Sequence, residues 1–177
     1  MDTRRYRDTL GRFATGVTII TSFEETPAGP APFGTTANAF SSVSLDPPLA
    51  LVCIGHERSI HPVMMRTGRW AINVLGEDGQ SLSDCYAGAP SPLPRSAFCG
   101  APFQRGVTGA PLLEAAIAYL ECELDRTVEA GDHTIFIGRV VAAGSVRDDR
   151  WPLLYYRGRY LRIEHAATAD LLGKPEV

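Results

Sequence analysis

Glycine and proline punctuate this chain too often for long helices to persist: there are 17 and 13 of them in 177 residues. The apolar runs between them are short and rich in Val, Ile, Thr and aromatic residues, which favours strands. The expected fold class is therefore mainly β, with a few short peripheral helices. A chain of this length has room for one domain, read here as residues 1–177, and can bury a core without metal or disulfide. The 17 basic against 20 acidic residues give a net charge of −3. That argues against a nucleic-acid partner, which usually calls for a concentrated basic excess. No apolar run approaches the ~20 residues of a membrane-spanning helix. The charged stretch Met1–Arg12 lacks the apolar core of a signal peptide, so no membrane association and a cytoplasmic location are expected. Cys53, Cys85, Cys99 and Cys122 show no Cys-x-x-Cys pair and are read as free thiols, Cys53 and Cys122 as small core hydrophobes.

Periodicity places the elements. Tyr6, Leu10 and Phe13 share a face of a helix over Thr3–Phe13, which Gly16 breaks. Val17–Phe23 and Phe33–Phe40 read as extended segments around an exposed loop, and Asp46-Pro47-Pro48 as a corner. Leu49–Ile54 reads as a strand covered on both faces. Short helices are expected over Ser59–Arg66, with Ser59 as N-cap and Pro62 in the first turn, and over Gln80–Tyr86. Trp70–Leu75 returns as a strand, and Ala87–Thr108, rich in proline and glycine, reads as a long functional loop. Pro111–Asp125 fits both periods and is divided into a helical turn near Leu112–Ala115 and a half-buried strand. Gly131-Asp132-His133 turns that strand into a hairpin with His133–Val146. Leu153–Tyr156 and Arg159–Ile163 form a last pair around Gly158. Antiparallel strands with turns every 8 to 15 residues indicate a closed or split barrel.

Sharp catalytic signatures are absent: there is no phosphate-binding glycine loop and no Gly-x-Ser-x-Gly. His56 and His61 stand five apart, which turns the imidazoles about 140° from each other on a helix and argues against a metal site. The informative stretch is Gly34–Pro48, where hydroxyl residues and Asn38 crowd a β-like segment of little bulk. Such a backbone can lie against a planar heteroaromatic with many N and O atoms, or form a Ser/Thr-rich edge strand. Arg58-Ser59, at a helix start, suits a phosphate, or an ordinary cap beside a solvated arginine.

Five blocks, Arg12–Thr21, Thr36–Pro48, His56–Ser59, Trp70–Leu75 and Gly131–Val140, resemble the flavin reductase-like family in order and spacing, over about Tyr6–Arg162. These are the short-chain NAD(P)H:flavin oxidoreductases that serve as the small component of two-component flavin monooxygenases. The resemblance implies an FMN-binding split β-barrel, a homodimer, FMN or FAD near the dimer interface, and NADH or NADPH as hydride donor. Residue by residue, it implies that Thr35, Thr36, Ala37 and Asn38 lie along the isoalloxazine edge. Ser41, Ser42 and Val43 would follow the ring and ribityl chain, Cys53, Ile54 and Gly55 would form the strand end beside the flavin, and Arg58 and Ser59 would hold its phosphate. His133 would sit at the nicotinamide in a positioning role, and Tyr155, Tyr156 and Arg157 would border the pyridine nucleotide. His133 could instead cap a hairpin, and the tyrosines could be strand aromatics. The implied activity is hydride transfer to flavin, followed by delivery of reduced flavin to a separate monooxygenase. The alternative of another class is a non-catalytic flavin carrier or sensor on the same barrel. A split-barrel oxidase of a pyridoxal-type substrate is a third reading, for which no further basic phosphate cluster is seen.

Overall fold

A computed structural model describes residues 1–94 and 98–163. In chain order it contains α1 (Thr3–Leu10), β1 (Thr15–Gly16), β2 (Thr18–Glu24), β3 (Ala31–Ala37), β4 (Phe40–Leu45), β5 (Pro48–Gly55), α2 (Ile60–Thr67), β6 (Arg69–Leu75), α3 (Gln80–Ala87), β7 (Phe103–Arg105), β8 (Pro111–Leu113), β9 (Ala116–Ala130), β10 (His133–Ser145), β11 (Leu154–Tyr156) and β12 (Arg159–Leu161). Seven strands form one sheet in the order β3-β2-β6-β9-β10-β5-β4, and every neighbouring pair is antiparallel. Its backbone is the β9–β10 hairpin, 15 and 13 residues long, turned at Gly131-Asp132. The smaller β1-β11-β12 sheet supports α1, where the Arg157 N–H donates to the Gly11 carbonyl at 2.8 Å.

The two larger of three apolar clusters among the described residues hold these layers together. One packs Ile60 and Met64 of α2 against Ile20, Val52, Ile54, Trp70, Ile72 and Phe136. The other joins Leu82, Cys85 and Tyr86 of α3 to Ile19, Leu75, Leu113 and Leu153. Close approach within the first cluster explains one glycine of the Gly131–Val140 block. A Cβ on Gly138 would lie 2.5 Å from the Trp70 ring and 2.9 Å from the Cβ of Cys122, and Trp70 is fully buried. Gly138→Ala is therefore expected to overpack the core at a cost of about 1–3 kcal/mol, read as a lower denaturation midpoint with an unchanged slope.

Several expected elements differ from those observed. The first helix stops at Leu10 with Gly11 as its cap, so Phe13 lies beyond it, and none of its residues is buried. The extended segment Phe33–Phe40 breaks at residues 38–39, and Ser41–Leu45 continues as an outer strand paired with β5. Leu49–Ile54 is covered mainly on one face: Ala50, Val52 and Ile54 are buried, whereas Leu49, Leu51 and Cys53 are half-buried. The helical turn expected near Leu112 is instead β8, paired with β7, which lies inside the stretch expected to be loop. Cys85 and Cys99 are not free thiols; they form a disulfide across 14 residues that ties α3 to the turn at Phe98–Gly100. Cys53 and Cys122 are free. Among the described residues no helix is long and apolar enough to cross a membrane. The carboxyl-terminal tail, residues 166–177, to which the sequence assigns no role, lies outside the described residues.

Candidate functional site

β3 stands at one end of the sheet order and β5 next to the other, yet both open onto the same cleft. Thr35, Thr36, Ala37 and Asn38 from the first segment and Cys53, Ile54 and Gly55 from the second line a cavity of about 190 Å³ with Ala39, Arg58 and His133. The Cys53 N–H donates to the Ala39 carbonyl at 3.0 Å and fastens the two segments together. The sheet thus curls until its ends approach.

Of the two hydroxyls in this lining, that of Thr36 is committed to the fold. Thr36 donates to the Ser83 carbonyl at 2.6 Å and so anchors β3 to α3. Thr18 donates to the Ala37 carbonyl at 2.6 Å, and Thr35 is buried. β3 is a terminal strand, so alternate residues turn their N–H and C=O groups away from the ladder. Those backbone groups, with the exposed Asn38 amide, are what the cleft offers to a planar ligand. Burial pushes the Cys53 thiol above its ordinary pKa, so at neutral pH it is an uncharged lining group.

Cationic and imidazole groups flank this strip. Arg58 is half exposed and lightly tethered, with Nη1 3.4 Å from the Ala87 carbonyl and Nε 3.6 Å from Glu57. His133 pairs across the sheet with Gly55. Its Nδ1 lies 2.7 Å from Asp132 Oδ1, and this hydrogen bond holds the Asp132 carboxyl below the usual range. Nε2 is then the ring nitrogen left for a ligand.

A larger cleft of about 860 Å³ adjoins the first through Asn38. It is lined by Tyr155 and Arg157 with Arg7 and Arg12 from around α1. A third cavity, of about 290 Å³, shares Asn38, Arg58 and Tyr155 and adds Ser83 and Tyr160. The Tyr160 hydroxyl lies 2.9 Å from Ser83 Oγ and donates to Asp84 at 3.0 Å, while its ring meets Tyr155 edge-on. Asn38 therefore belongs to all three spaces.

The residues singled out from the sequence separate into two groups. Thr35, Thr36, Ala37, Asn38, Cys53, Ile54, Gly55, Arg58 and His133 converge on the small cleft, and Tyr155 and Arg157 on the large one. Ser41, Ser42 and Val43 lie exposed on outer strand β4 and line none of these cavities. Ser59 is exposed, with no side-chain hydrogen bond to its helix. Tyr156 alternates away from Tyr155, toward Arg159 and Leu161. The sequence reading missed Arg7, Arg12, Ser83 and Tyr160. The available signals were the place of both arginines on the flanks of the expected apolar helix face and, for Arg12, its opening of the Arg12–Thr21 block.

Comparison with known proteins matches the same architecture. Residues 10–164 match the flavin reductase like domain. The chain is 36% identical over 168 residues to the reductase subunit HsaB of a flavin-dependent monooxygenase from Rhodococcus jostii, covering 95% of this chain and 82% of that one. It is 37% identical over 174 residues to an NADH-dependent FAD reductase from Streptomyces globisporus, covering 96% and 89%. The solved NADH:FAD oxidoreductase of Streptomyces globisporus, in complex with NAD and FAD fragments, superposes with a TM-score of 0.81 at 34% identity, covering 94% and 95% of the two chains. With the match spanning the sheet, the curled cleft and the hairpin that carries His133, the chain belongs to the flavin reductase-like family.

Proposed function

We propose that this chain is an NAD(P)H:flavin oxidoreductase of the cytoplasm, one domain over residues 1–177. It uses FMN or FAD with NADH or NADPH and supplies reduced flavin to a separate flavin-dependent monooxygenase. The observation that carries the reading is the convergence of residues from three distant segments, Thr35–Asn38, Cys53–Arg58 and His133, on a strip of small and polar groups with one cation at its edge. That donor set fits a flavin: backbone groups and Asn38 for the ring heteroatoms, Arg58 for the phosphate. When bound, flavin would supply the redox chemistry as an acceptor of hydride, one proton with two electrons, from the nicotinamide, the second proton of the reduced form coming from solvent.

The chain's own work is then to bind and orient. Arg58 would hold the flavin phosphate, and the uncharged Cys53 keeps the strand end neutral. His133 presents Nε2 to the nicotinamide, with Asp132 fixing its ring. Tyr155 and Arg157, with Arg7 and Arg12, give the dinucleotide phosphates a cationic cleft continuous with the flavin strip through Asn38. No side chain is required to act as acid or base, since holding the two rings in register supplies the acceleration. A homodimer is supported by apolar surface that the single chain leaves uncovered: Leu10 and Phe13 are 55% and 78% exposed, and Leu45 on β4 is 93% exposed. In a dimer Ser41, Ser42 and Val43 on β4 would lie where a partner could complete their contacts with flavin.

The deciding measurement is loss of absorbance at 340 nm with NADH or NADPH, with and without FMN, FAD or riboflavin. Flavin-dependent loss is expected. Flavin binding without nicotinamide oxidation would make the chain a binding module. His133→Asn is expected to raise the KM for the nicotinamide about 3- to 10-fold, the worth of one hydrogen bond; an unchanged KM would remove His133 from the site.

A further inference from the structure

Directly behind His133 lies a polar network that neither the cleft nor the packing of the sheet accounts for. Thr134 points to the opposite side of β10 from His133 and is fully buried. Its hydroxyl donates to Glu129 Oε1 at 3.0 Å and lies 2.8 Å from His61 Nε2 and 3.2 Å from His56 Nε2. A hydroxyl has one proton to give. With that proton on Glu129, both imidazoles must present Nε2–H to the same oxygen. His56 Nε2 also reaches the second carboxylate oxygen of Glu129 at 3.1 Å. The geometry therefore places an N–H on Nε2 of both rings.

The four groups come from four segments: the end of β9, the start of β10, α2, and the loop after β5. That loop is joined to the hairpin turn a second time by the His56 N–H, which donates to the Asp132 carbonyl at 3.0 Å. His61 is also fixed edge-on against Phe136, with ring centroids 5.5 Å apart. Burial lowers the pKa of His61, and the neighbouring His56 lowers it further against an opposing effect of Glu129, so its neutral Nε2–H form is the favoured one. The network thus braces the β9–β10 turn, which carries Asp132 and His133, against the loop that carries Arg58.

We infer that Thr134, through Glu129, His56 and His61, is a positioning residue for His133: it sets the placement of the imidazole that meets the nicotinamide without touching either substrate. The inference rests on the proposed role of His133. It assigns a purpose to a threonine within the hairpin and to His56 and His61, which one continuous helix would turn apart but which lie with ring centroids 5.2 Å apart because His56 stands in the loop before α2.

The test is steady-state nicotinamide oxidation by the full-length enzyme with saturating flavin. Thr134→Val keeps the shape and removes the hydroxyl; Thr134→Ser keeps the hydroxyl. Thr134→Val is expected to raise the NADH KM about 5-fold, the scale of one or two hydrogen bonds, with flavin affinity changed less than twofold, and Thr134→Ser to stay within about twofold of the parent. Combined with His133→Asn, Thr134→Val is expected to add nothing further, because the two act as one unit. Should Thr134→Val fail to fold, Glu129→Ala, whose side chain is 68% exposed, serves the same purpose and is expected to raise the NADH KM about 2- to 5-fold, again without adding to His133→Asn. A parental KM for Thr134→Val, or effects of the two substitutions that multiply, would overturn the inference while leaving His133 in place. A parental KM for His133→Asn would instead remove the reading beneath it.

Discussion

Replacing Glu121 by alanine is expected to destabilise the protein by about 3–5 kcal/mol, the largest loss foreseen for any single side chain here. Glu121 lies on β9 and is 1% exposed. Its carboxylate accepts from the Val107 N–H at 3.0 Å, the Thr108 N–H at 2.8 Å and the Thr108 hydroxyl at 2.7 Å. These bonds fasten the turn between β7 and β8 to the middle of the main sheet. Alanine would strand three donors, each costing ~1–3 kcal/mol when left unpaired, with partial relief from entering water. For a chain of this size that corresponds to a melting point lower by about 6–20 °C. Glu121→Gln retains one acceptor oxygen and is expected to fall between the two. A loss below about 1 kcal/mol in denaturant titration of the alanine variant would show that the turn does not depend on the carboxylate.

Arg58→Ala is expected to weaken FMN binding about 10- to 150-fold and riboflavin binding by less than about threefold. The range is that of a charge-assisted hydrogen bond to phosphate, about 1.5–3 kcal/mol. Arg58 is suited to such a role because its present contacts are weak: a 3.4 Å approach to a carbonyl and a 3.6 Å approach to the exposed Glu57. Little is given up when it turns to a ligand. Flavin fluorescence quenching measures both constants, and equal losses for FMN and riboflavin would refute the assignment.

The parts of this molecule that were legible in its sequence are those whose signal is local. Gly131-Asp132 between two long alternating runs specifies the β9–β10 hairpin. The Pro47-Pro48 corner marks the start of β5, and the short helices expected over Ser59–Arg66 and Gln80–Tyr86 form, the first without a capping bond from Ser59. Thr35–Asn38 and Cys53–Gly55 were singled out through the family resemblance and not by local pattern, and they come together on the small cleft because each is a contiguous strand end. What stayed hidden depends on burial or on distance. Pro111, Leu112 and Leu113 are all buried, so neither alternation nor helical spacing survives in them, and β8 reads as a turn. Ser41–Leu45 is an outer strand whose mostly exposed residues need no apolar alternation. The disulfide joins cysteines with no spacing signal, brought together only when α3 and the turn at Phe98 fold toward each other. Arg7 and Arg12 gain their meaning from the β11–β12 hairpin, more than 140 residues downstream.

The curled sheet has a consequence for the order of events during synthesis. One wall of the small cleft lies within the first 58 residues, but the other needs β10, which pairs with both β5 and β9. Such long-range pairings form late, since the intervening chain must first surrender its freedom. A growing polypeptide therefore lacks the complete strip until residues past His133 have emerged from the ribosome. Cofactor loading belongs to the finished chain, and a ligand that recognises only this completed form deepens its stability by mass action, as the logarithm of the free flavin concentration relative to its Kd.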